Sequence, residues 1–227
     1  MIKLFKKFSN KKLLFEKFPR IKFEDSIMRY GTDKPDLRNP LVICDITKTF
    51  EREDVNFDIF KKMVKEGSIV RAIVTKNTKN QPRSFFDNID KWAKDDGAGG
   101  LAYFTFEKEN KVSAKGPIGK FFSEDSLKEI MKISGAEVGD SIFLACGKLK
   151  EVVKLLSSAR DRIGLDLKLI DANTFAFCWI VDYPMFEIDE KTNKIIFSHN
   201  PFSMPQINGN ELDLSKPLEI KAYQYDI

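Results

Sequence analysis

Residues 69–75, Ile-Val-Arg-Ala-Ile-Val-Thr, form a run of apolar and β-branched residues that predicts a buried strand. On both sides of this run, short apolar stretches alternate with amphipathic ones between residues 50 and 165. The predicted strands are Ile69–Thr75, Leu101–Phe106, Lys111–Ala114 and Ser141–Cys146, and the predicted helices are Phe57–Glu66, Gln81–Lys94, Glu124–Ile133 and Leu149–Ile163. This segment is long enough to form an α+β domain of its own.

The composition of the 227-residue chain is that of a soluble globular protein, with 42% hydrophobic and 32% charged residues. The length predicts one or two compact units. The longest apolar run, Phe175–Val181, is far shorter than the ~20 residues that a membrane-spanning helix needs. No continuous apolar segment follows the basic N-terminus, so a secretory signal is not expected either.

Positive charge is concentrated at the N-terminus, where residues 1–22 contain eight Lys or Arg residues and one acid, Glu16. Because this charge is local, it is compatible with nucleic-acid binding but does not indicate it. Apolar residues recur at helical spacing at Leu4, Phe5, Phe8, Leu14, Phe15 and Phe18. We therefore predict two helices in the first 30 residues, separated by Phe18-Pro19-Arg20. The first could be a membrane-surface helix or an organelle transit segment, but an ordinary helix with a solvated lysine face is favoured.

The cysteines Cys44, Cys146 and Cys178 are far apart, form no CxxC pair and lie in apolar runs. This pattern favours small buried hydrophobic residues in a reducing compartment over disulfides or metal ligands. Because the chain contains one histidine, a zinc site is not expected.

Two glycine-containing stretches do not fit phosphate-binding loops. A Walker A loop around residues 115–121 would require a glycine at position 114 and a hydroxyl side chain at position 121. The chain has Ala114 and Phe121 at these positions. Residues 96–100, Asp-Gly-Ala-Gly-Gly, lead into a predicted strand, which is the reverse of the dinucleotide-binding order. The second stretch therefore predicts a flexible turn within the domain.

The two ends of the chain predict further short elements. A helix is expected from Glu24 to Tyr30. It should end at Gly31, because glycine adopts the left-handed conformation of a helix cap with little strain. A polar stretch to Arg38 follows the helix. Strands are predicted at Leu41–Ile46, at Phe175–Val181 with both faces buried, at Ile195–Ser198, and at Leu218–Ala222 with alternating burial.

The single histidine, His199, lies beside Asn200 in a proline-containing loop, where imidazole and amide groups can recognise a small polar ligand. An ordinary structural role is the alternative. Asp182 and Asp226 each follow a strand, where a carboxylate either faces a site or accepts hydrogen bonds in a turn. The residues alone thus indicate an α+β protein with a loop for a polar ligand.

Three separated stretches together resemble the bacterial-type aspartyl-tRNA synthetases, which are class II enzymes. They are Phe18-Pro19-Arg20 through Tyr30-Gly31-Thr32-Asp33-Lys34-Pro35-Asp36-Leu37-Arg38, then residues 175–187, then His199-Asn200-Pro201-Phe202. Residues 97–102 and Lys115-Gly116-Pro117 resemble the insertion domain of that family, a module also known from an amidotransferase subunit. The resemblance covers nearly the whole chain. It implies an α+β fold in which an incomplete class II antiparallel sheet carries an inserted α+β domain.

The resemblance implies that residues 1–49 and 166–227 are parts of the catalytic domain and that residues 50–165 are the insertion domain. The last strand reaches Ile227 without a turn or polar tail, so we expect an internal fragment of a larger enzyme. The sequence lacks the dimer-forming motif of the family and both motifs that supply ATP-binding arginines. Its nearest look-alike to the Phe-Arg-x-Glu motif, residues 50–53, has the wrong order, Phe-Glu-Arg-Glu.

The complete enzyme implied by the resemblance activates L-aspartate with ATP and Mg²⁺ and passes the aspartyl group to tRNA. His199 resembles the histidine that contacts aspartate. Asn200, the second predicted substrate contact, stands where many relatives carry another histidine. Asp226 resembles an acid near the ATP and metal site. No catalytic residue is assigned. Without the two arginines, we expect this chain alone neither to bind ATP or Mg²⁺ tightly nor to activate aspartate.

The expected setting is that of the family: a cytoplasmic homodimer with tRNA and aspartate as partners and no membrane. The alternative is a non-catalytic module that binds tRNA or protein through the insertion domain and the basic N-terminal helix. The family pattern is present on both sides of the insertion, which favours the ligase fragment.

Overall fold

The computed structural model describes residues 1–189, 191–198, 200–207 and 213–225. The helices are α1 (Ile2–Phe8), α2 (Phe23–Tyr30), α3 (Asp58–Lys65), α4 (Arg83–Asp95), α5 (Glu124–Ser134) and α6 (Leu149–Asp166). The strands are β1 (Lys12–Leu13), β2 (Arg20–Lys22), β3 (Ile43–Asp45), β4 (Ile69–Thr75), β5 (Ala102–Lys108), β6 (Val112–Lys115), β7 (Ser141–Gly147), β8 (Thr174–Phe175), β9 (Trp179–Val181), β10 (Tyr183–Pro184), β11 (Phe186–Ile188), β12 (Ile195–Phe197) and β13 (Lys221–Ala222).

The chain divides into two compact units. The terminal unit comprises Met1–Ile27, Asp33–Arg38 and Asp171–Ile227, and the central unit comprises Met28–Thr32 and Asn39–Ile170. The mixture of helices with an antiparallel sheet that the sequence predicts is present.

The central unit is built on one five-stranded sheet in the order β3-β4-β7-β5-β6. Every neighbouring pair is antiparallel, and in the middle of the sheet Phe143 lies opposite both Ile73 and Tyr103. Side chains on one face, Ile73 and Phe143 among them, pack against α4 and α6. Alternate side chains, such as Leu144 and Phe104, pack on the other face against α3 and α5. Because helices cover both faces, the strands are continuously apolar, which is why their sequence pattern is clear.

A buried arginine ties the start of the central unit to its last helix. Arg160 on α6 is 1% exposed, and its guanidinium donates hydrogen bonds to the carbonyl oxygens of Leu41 and Asn39, each at 2.7 Å. Its guanidinium carbon also lies 5.1 Å from the centre of the Tyr30 ring. These contacts satisfy backbone groups that burial would otherwise leave without partners.

The described residues of the terminal unit contain α1, most of α2 and four pairs of short strands. The β1–β8 and β2–β9 pairs are parallel, and the β10–β13 and β11–β12 pairs are antiparallel. Its small buried core contains Cys178, Ile180 and Tyr183. A second cluster joins the rings of Phe5, Phe18, Phe175 and Phe177, with centroids 4.5–5.6 Å apart.

The first helix is shorter than the sequence pattern predicts. Helix α1 ends at Phe8, and the prediction that the helix continues towards Phe18 is wrong. The Ser9 hydroxyl accepts a hydrogen bond from the Lys11 backbone amide, which competes with helix formation. The following residues instead pair with β8. The second helix ends at Gly31 with φ +76°, as predicted.

Two predicted strands are also corrected. Residues 175–181 do not form one strand buried on both faces, because β8 and β9 pair with two separate partners and residues 176–178 lie between them. Over residues 218–222, Pro217–Glu219 form a 3₁₀ turn before the short strand β13. In the first segment, Phe175 and Phe177 take part in ring packing, which has no strand periodicity.

All three cysteines are free thiols, with Cys178 buried and Cys44 and Cys146 half-buried. Burial raises the pKa of Cys44 and of Cys146 to about 11, so these thiols stay neutral near pH 7. Within the described ranges, no helix has both the length and the apolar character that crossing a membrane requires.

Candidate functional site

The pairing of β2 with β9 brings together two of the stretches that carry the family pattern. Arg20 lies opposite Trp179, and Ile21 lies opposite Ile180. The Trp179 amide also donates a 2.8 Å hydrogen bond to the carbonyl of Pro19. These stretches are remote in sequence, and parallel pairing places them side by side in the terminal unit.

A cavity of about 490 Å³ opens beside this strand pair, and we call it the Lys34 pocket. Its lining is Asp33, Lys34, Pro35, Ala176, Phe177, Cys178, Ile180 and Tyr225. Burial raises the pKa of the Cys178 thiol, so this wall of the pocket is neutral. The pocket therefore combines one carboxylate and one ammonium group with an apolar and aromatic wall.

Residues just after Lys34 are fixed by a fork-shaped ion pair. The Arg38 guanidinium donates to the Asp36 carboxylate, with Nε–Oδ1 at 2.9 Å and Nη2–Oδ2 at 2.6 Å. The Arg38 backbone amide donates to the same carboxylate at 3.0 Å. The hydrogen bond from Arg38 to Asp36 raises the pKa of Arg38. Paired donors of this kind restrict geometry, so the stretch that contributes Asp33 and Lys34 is held in a defined position.

The predicted substrate loop begins at the end of β12. The Ser198 amide donates a 3.0 Å hydrogen bond to the Met185 carbonyl. His199, the first predicted substrate contact, lies outside the described residues. Asn200 is exposed, and its side-chain oxygen accepts a 2.9 Å hydrogen bond from the Phe202 amide. Asn200 therefore shapes a local turn, and its contact with substrate stays a prediction.

Asp182 has a structural role in the described residues. It adopts φ +59°, and its Oδ1 atom accepts a 3.2 Å hydrogen bond from Nε2 of Gln206. The same Nε2 donates to the Ala222 carbonyl at 3.0 Å. Gln206 thus fastens the loop that follows Asn200 to both β13 and the end of β9.

Asp226, the predicted acid of the ATP and metal site, lies outside the described residues. Tyr225, just before it, lines the Lys34 pocket, and its ring centre is 5.6 Å from the guanidinium carbon of Arg20. Among the described residues, no group of three or more His, Cys, Asp or Glu side chains is arranged to hold a metal ion.

Sequence reasoning missed Asp33, Lys34 and Tyr225 as pocket residues. The available signal was the polar, turn-rich composition of residues 30–38, which identified the stretch but not the side chains that face a cavity. The nearest look-alike to the ATP-binding motif is structural, because Arg52 donates to Asp54 at 2.7 Å and to Glu129 at 2.6 Å within the central unit.

Comparison with known proteins finds that residues 60–156 match the GAD domain. The chain is 68% identical, over its full length, to the aspartate–tRNA(Asp/Asn) ligase of Pelagibacter ubique (strain HTCC1062), of which it covers 38%. It is 47% identical over 99% of its length to the ligase of the same name from Methylorubrum populi, again covering 38% of that protein. The Ehrlichia chaffeensis ligase of that name is 47% identical over the full chain, with 38% of it covered.

The chain spans about 38% of the length of these curated relatives. The identity extends across both compact units and beyond the GAD match. The resemblance carried by the motifs is therefore confirmed, and the whole chain corresponds to a fragment of an aspartyl-tRNA synthetase.

Proposed function

We propose that this chain supplies part of the amino-acid-binding machinery of an aspartate–tRNA ligase, which uses ATP and Mg²⁺ to activate aspartate and transfers it to tRNA. The observation that carries the proposal is the 68% identity to such a ligase over the full chain. The complete enzyme is proposed to be a cytoplasmic homodimer.

The two parts of the chain are proposed to have separate roles. Residues 1–49 and 166–227 contribute to a class II catalytic domain, and residues 50–165 are its insertion domain. The position of the GAD match at residues 60–156, inside the proposed insertion, supports this division. The antiparallel β10–β13 and β11–β12 pairs are compatible with pieces of a larger antiparallel sheet.

The Lys34 pocket is proposed to bind the amino acid. Aspartate carries one ammonium and two carboxylate groups, so it can pair its ammonium with Asp33 and a carboxylate with Lys34. Charge-assisted hydrogen bonds of this kind are short and directional. His199 and Asn200 remain the proposed further contacts with aspartate, and Asp226 remains the proposed acid near ATP and the metal.

The polypeptide alone is proposed to be inactive in aspartate activation. The sequence contains neither the Phe-Arg-x-Glu motif nor the glycine-rich motif that supplies the second arginine. Loss of one preorganised charge-stabilising donor costs about 2.7–4 kcal/mol in the transition state. Two such losses together would leave no useful rate.

The test is aspartate-dependent exchange of pyrophosphate into ATP. The chain alone should show no exchange above background, and exchange should appear when the missing parts of a relative's catalytic domain are supplied in the same polypeptide. Clear exchange by the chain alone would overturn the proposed inactivity. Absence of exchange in a folded complemented protein would overturn the ligase proposal.

The Lys34 pocket can be tested in the complemented enzyme. Lys34→Met should lower kcat/KM for aspartate about tenfold or more, since a hydrogen bond to a charged group contributes about 1.5–3 kcal/mol. Lys194→Met is the matched control, because Lys194 is an exposed lysine of the same unit that does not line the pocket. Equal kcat/KM in the two variants would remove the pocket from the proposal.

The non-catalytic module is the second candidate, and the eight basic residues of positions 1–22 favour it. It predicts tRNA binding that weakens steeply with salt without any exchange activity in the complemented protein. The same set of measurements thus separates the two candidates.

A further inference from the structure

The central unit contains a second cavity of about 490 Å³, which we call the Arg83 pocket. It lies where the first turn of α4 meets the first half of β5 and the end of β6, and all its lining residues belong to the central unit. Its volume falls within the range of about 300–1,000 Å³ that is common for small-molecule sites.

The inner wall of the Arg83 pocket is aromatic. The rings of Phe86 and Tyr103 stack with centroids 4.8 Å apart and an interplanar angle of 15°. Tyr103 donates a 2.8 Å hydrogen bond from its hydroxyl to Oδ1 of Asp87, and burial raises the pKa of Tyr103 to about 12. The phenol therefore stays neutral. Phe86 and Tyr103 are 4% and 7% exposed, so the parts of the two rings that reach the cavity form a small, uncharged wall.

The rim of the pocket is cationic. Lys79, Arg83 and Lys115 line it from three different segments, and all three are exposed. A carboxylate oxygen of Asp87 lies 3.2 Å from Nε of Arg83 and offsets one charge. Helix α4 begins at Arg83 with no acidic residue in its first turn, so its dipole adds to the positive potential.

Gly116 gives the pocket its third side. It has φ +140°, and a Cβ atom there would lie 3.0 Å from both the Tyr103 carbonyl oxygen and the Phe104 Cα atom. Only glycine allows the chain to pass this close to β5 in that conformation. The close passage places Lys115 on the rim, above the aromatic wall.

We propose that the Arg83 pocket binds a nucleotide, with its phosphate held by Arg83, Lys79 and Lys115 and its base against the Phe86–Tyr103 wall. Guanidinium and ammonium groups are the side chains that recognise phosphate most strongly. Aromatic side chains that line a cavity give apolar contact to a planar base of any sequence. The nucleotide can be free or part of a single RNA strand, because the binding chemistry is the same.

The test titrates the full chain with uridine monophosphate and follows its backbone amides by NMR. A pyrimidine nucleotide is chosen because the proposed ligase uses ATP, so the result is independent of that activity. We expect saturable shifts at Thr105 and Gly116. Lys115→Glu combined with Arg83→Glu should weaken binding about tenfold or more. Lys132→Glu, an exposed lysine of α5 outside the pocket, should leave it unchanged.

Three further ligands sharpen the result. Uridine without phosphate and inorganic phosphate alone should each bind more weakly than uridine monophosphate, and equal binding by either would overturn the proposal. An oligouridine that binds more tightly than the mononucleotide at the same amides supports the proposal and identifies an RNA strand as the source, whereas equal binding supports a free nucleotide. No shift at Thr105 and Gly116, or unchanged affinity in the double variant, would also overturn it.

Discussion

The central and terminal units differ in how their apolar residues are used. In the central unit, strands of up to seven residues bury alternate side chains on two faces, and Phe104, Phe143 and Leu144 have no exposed surface. In the terminal unit, the strands have two or three residues, and Phe197 and Met204 are 44% and 69% exposed. The central unit thus has two complete cores, whereas the described part of the terminal unit leaves much apolar surface uncovered.

The sheet contacts of the central unit join strands within one continuous segment, Asn39–Ile170, whereas the terminal unit also pairs strands from separate segments of the chain. Each long element of the central unit covers a face of the sheet formed by its neighbours. The terminal unit depends on pairs such as β2–β9, which join segments on opposite sides of the central unit in the sequence. We therefore expect the central unit to be the more stable of the two, and we expect the buried contacts within it to contribute more than its exposed ones.

The largest effect should come from the central core. Phe143→Ala removes a fully buried ring that packs against Phe86 and Tyr103, and it should lower the free energy of unfolding of the central unit by about 3–5 kcal/mol. Phe186→Ala in the terminal unit removes a half-buried ring that contacts Phe197, so its cost should be clearly smaller. Hydrogen exchange of amides in β7 and β11 measures both. Equal losses of unfolding free energy in the two variants would contradict the expected difference between the units.

The next effect concerns the buried arginine. Arg160→Met leaves the carbonyls of Leu41 and Asn39 without their donors and should destabilise the central unit by about 2–4 kcal/mol. The control is Arg162→Met on the same helix, where the ion pair with Asp166 is exposed and should contribute less than about 0.5 kcal/mol. The urea unfolding midpoints of the two variants measure this difference. A similar midpoint shift in the two would show that burial of Arg160 has no special role.

A smaller effect is expected at Gly31. Alanine there meets both an unfavourable φ of +76° and a contact of 2.6 Å with Cβ of Ser157, so Gly31→Ala should cost about 2–3 kcal/mol. Gly67→Ala shares the positive φ, +91°, but has no neighbour within 4 Å, and should cost about 1 kcal/mol. Thermal unfolding of the two variants separates steric overlap from backbone strain. A larger loss at Gly67 would contradict this account.

The smallest expected effect is on how the stability of the central unit depends on pH. Hydrogen bonds from Arg52 and from Ser123 hold the pKa of Asp54 far below its usual range. Because the folded pKa lies below the unfolded value of about 3.9, this contribution is present above about pH 4 and is lost as the pH falls below it. Asp54→Asn should therefore flatten the decline in urea midpoint between pH 6 and pH 3. Asp95→Asn, at an exposed aspartate, is the control, and its urea midpoint should decline with falling pH as in the wild type.

Sequence reasoning succeeds where an element buries its own periodic face. The prediction for β4, Ile69–Thr75, matches the structure because apolar residues point to both cores and Gly67 and Asn77, with positive φ, end the run. The bounds of α2 also follow from local signals, since Gly31 supplies the left-handed end.

Sequence reasoning fails where pairing between distant segments determines the structure. Residues 175–181 are apolar enough for one strand, but their partners β1 and β2 are separate and short. The Lys34 pocket could not be predicted for the same reason. Asp33 and Tyr225 meet only through long-range pairing, and no local pattern indicates which side chains of residues 30–38 face a cavity.

The parallel pairing of β2 with β9 also has an entropic consequence for folding. Joining these strands closes a loop that contains the whole central unit. An unfolded central unit would add all its conformational freedom to the cost of that closure, whereas a folded one shortens the flexible part of the loop. The terminal strand pairs should therefore assemble after the central unit, through connectivity alone.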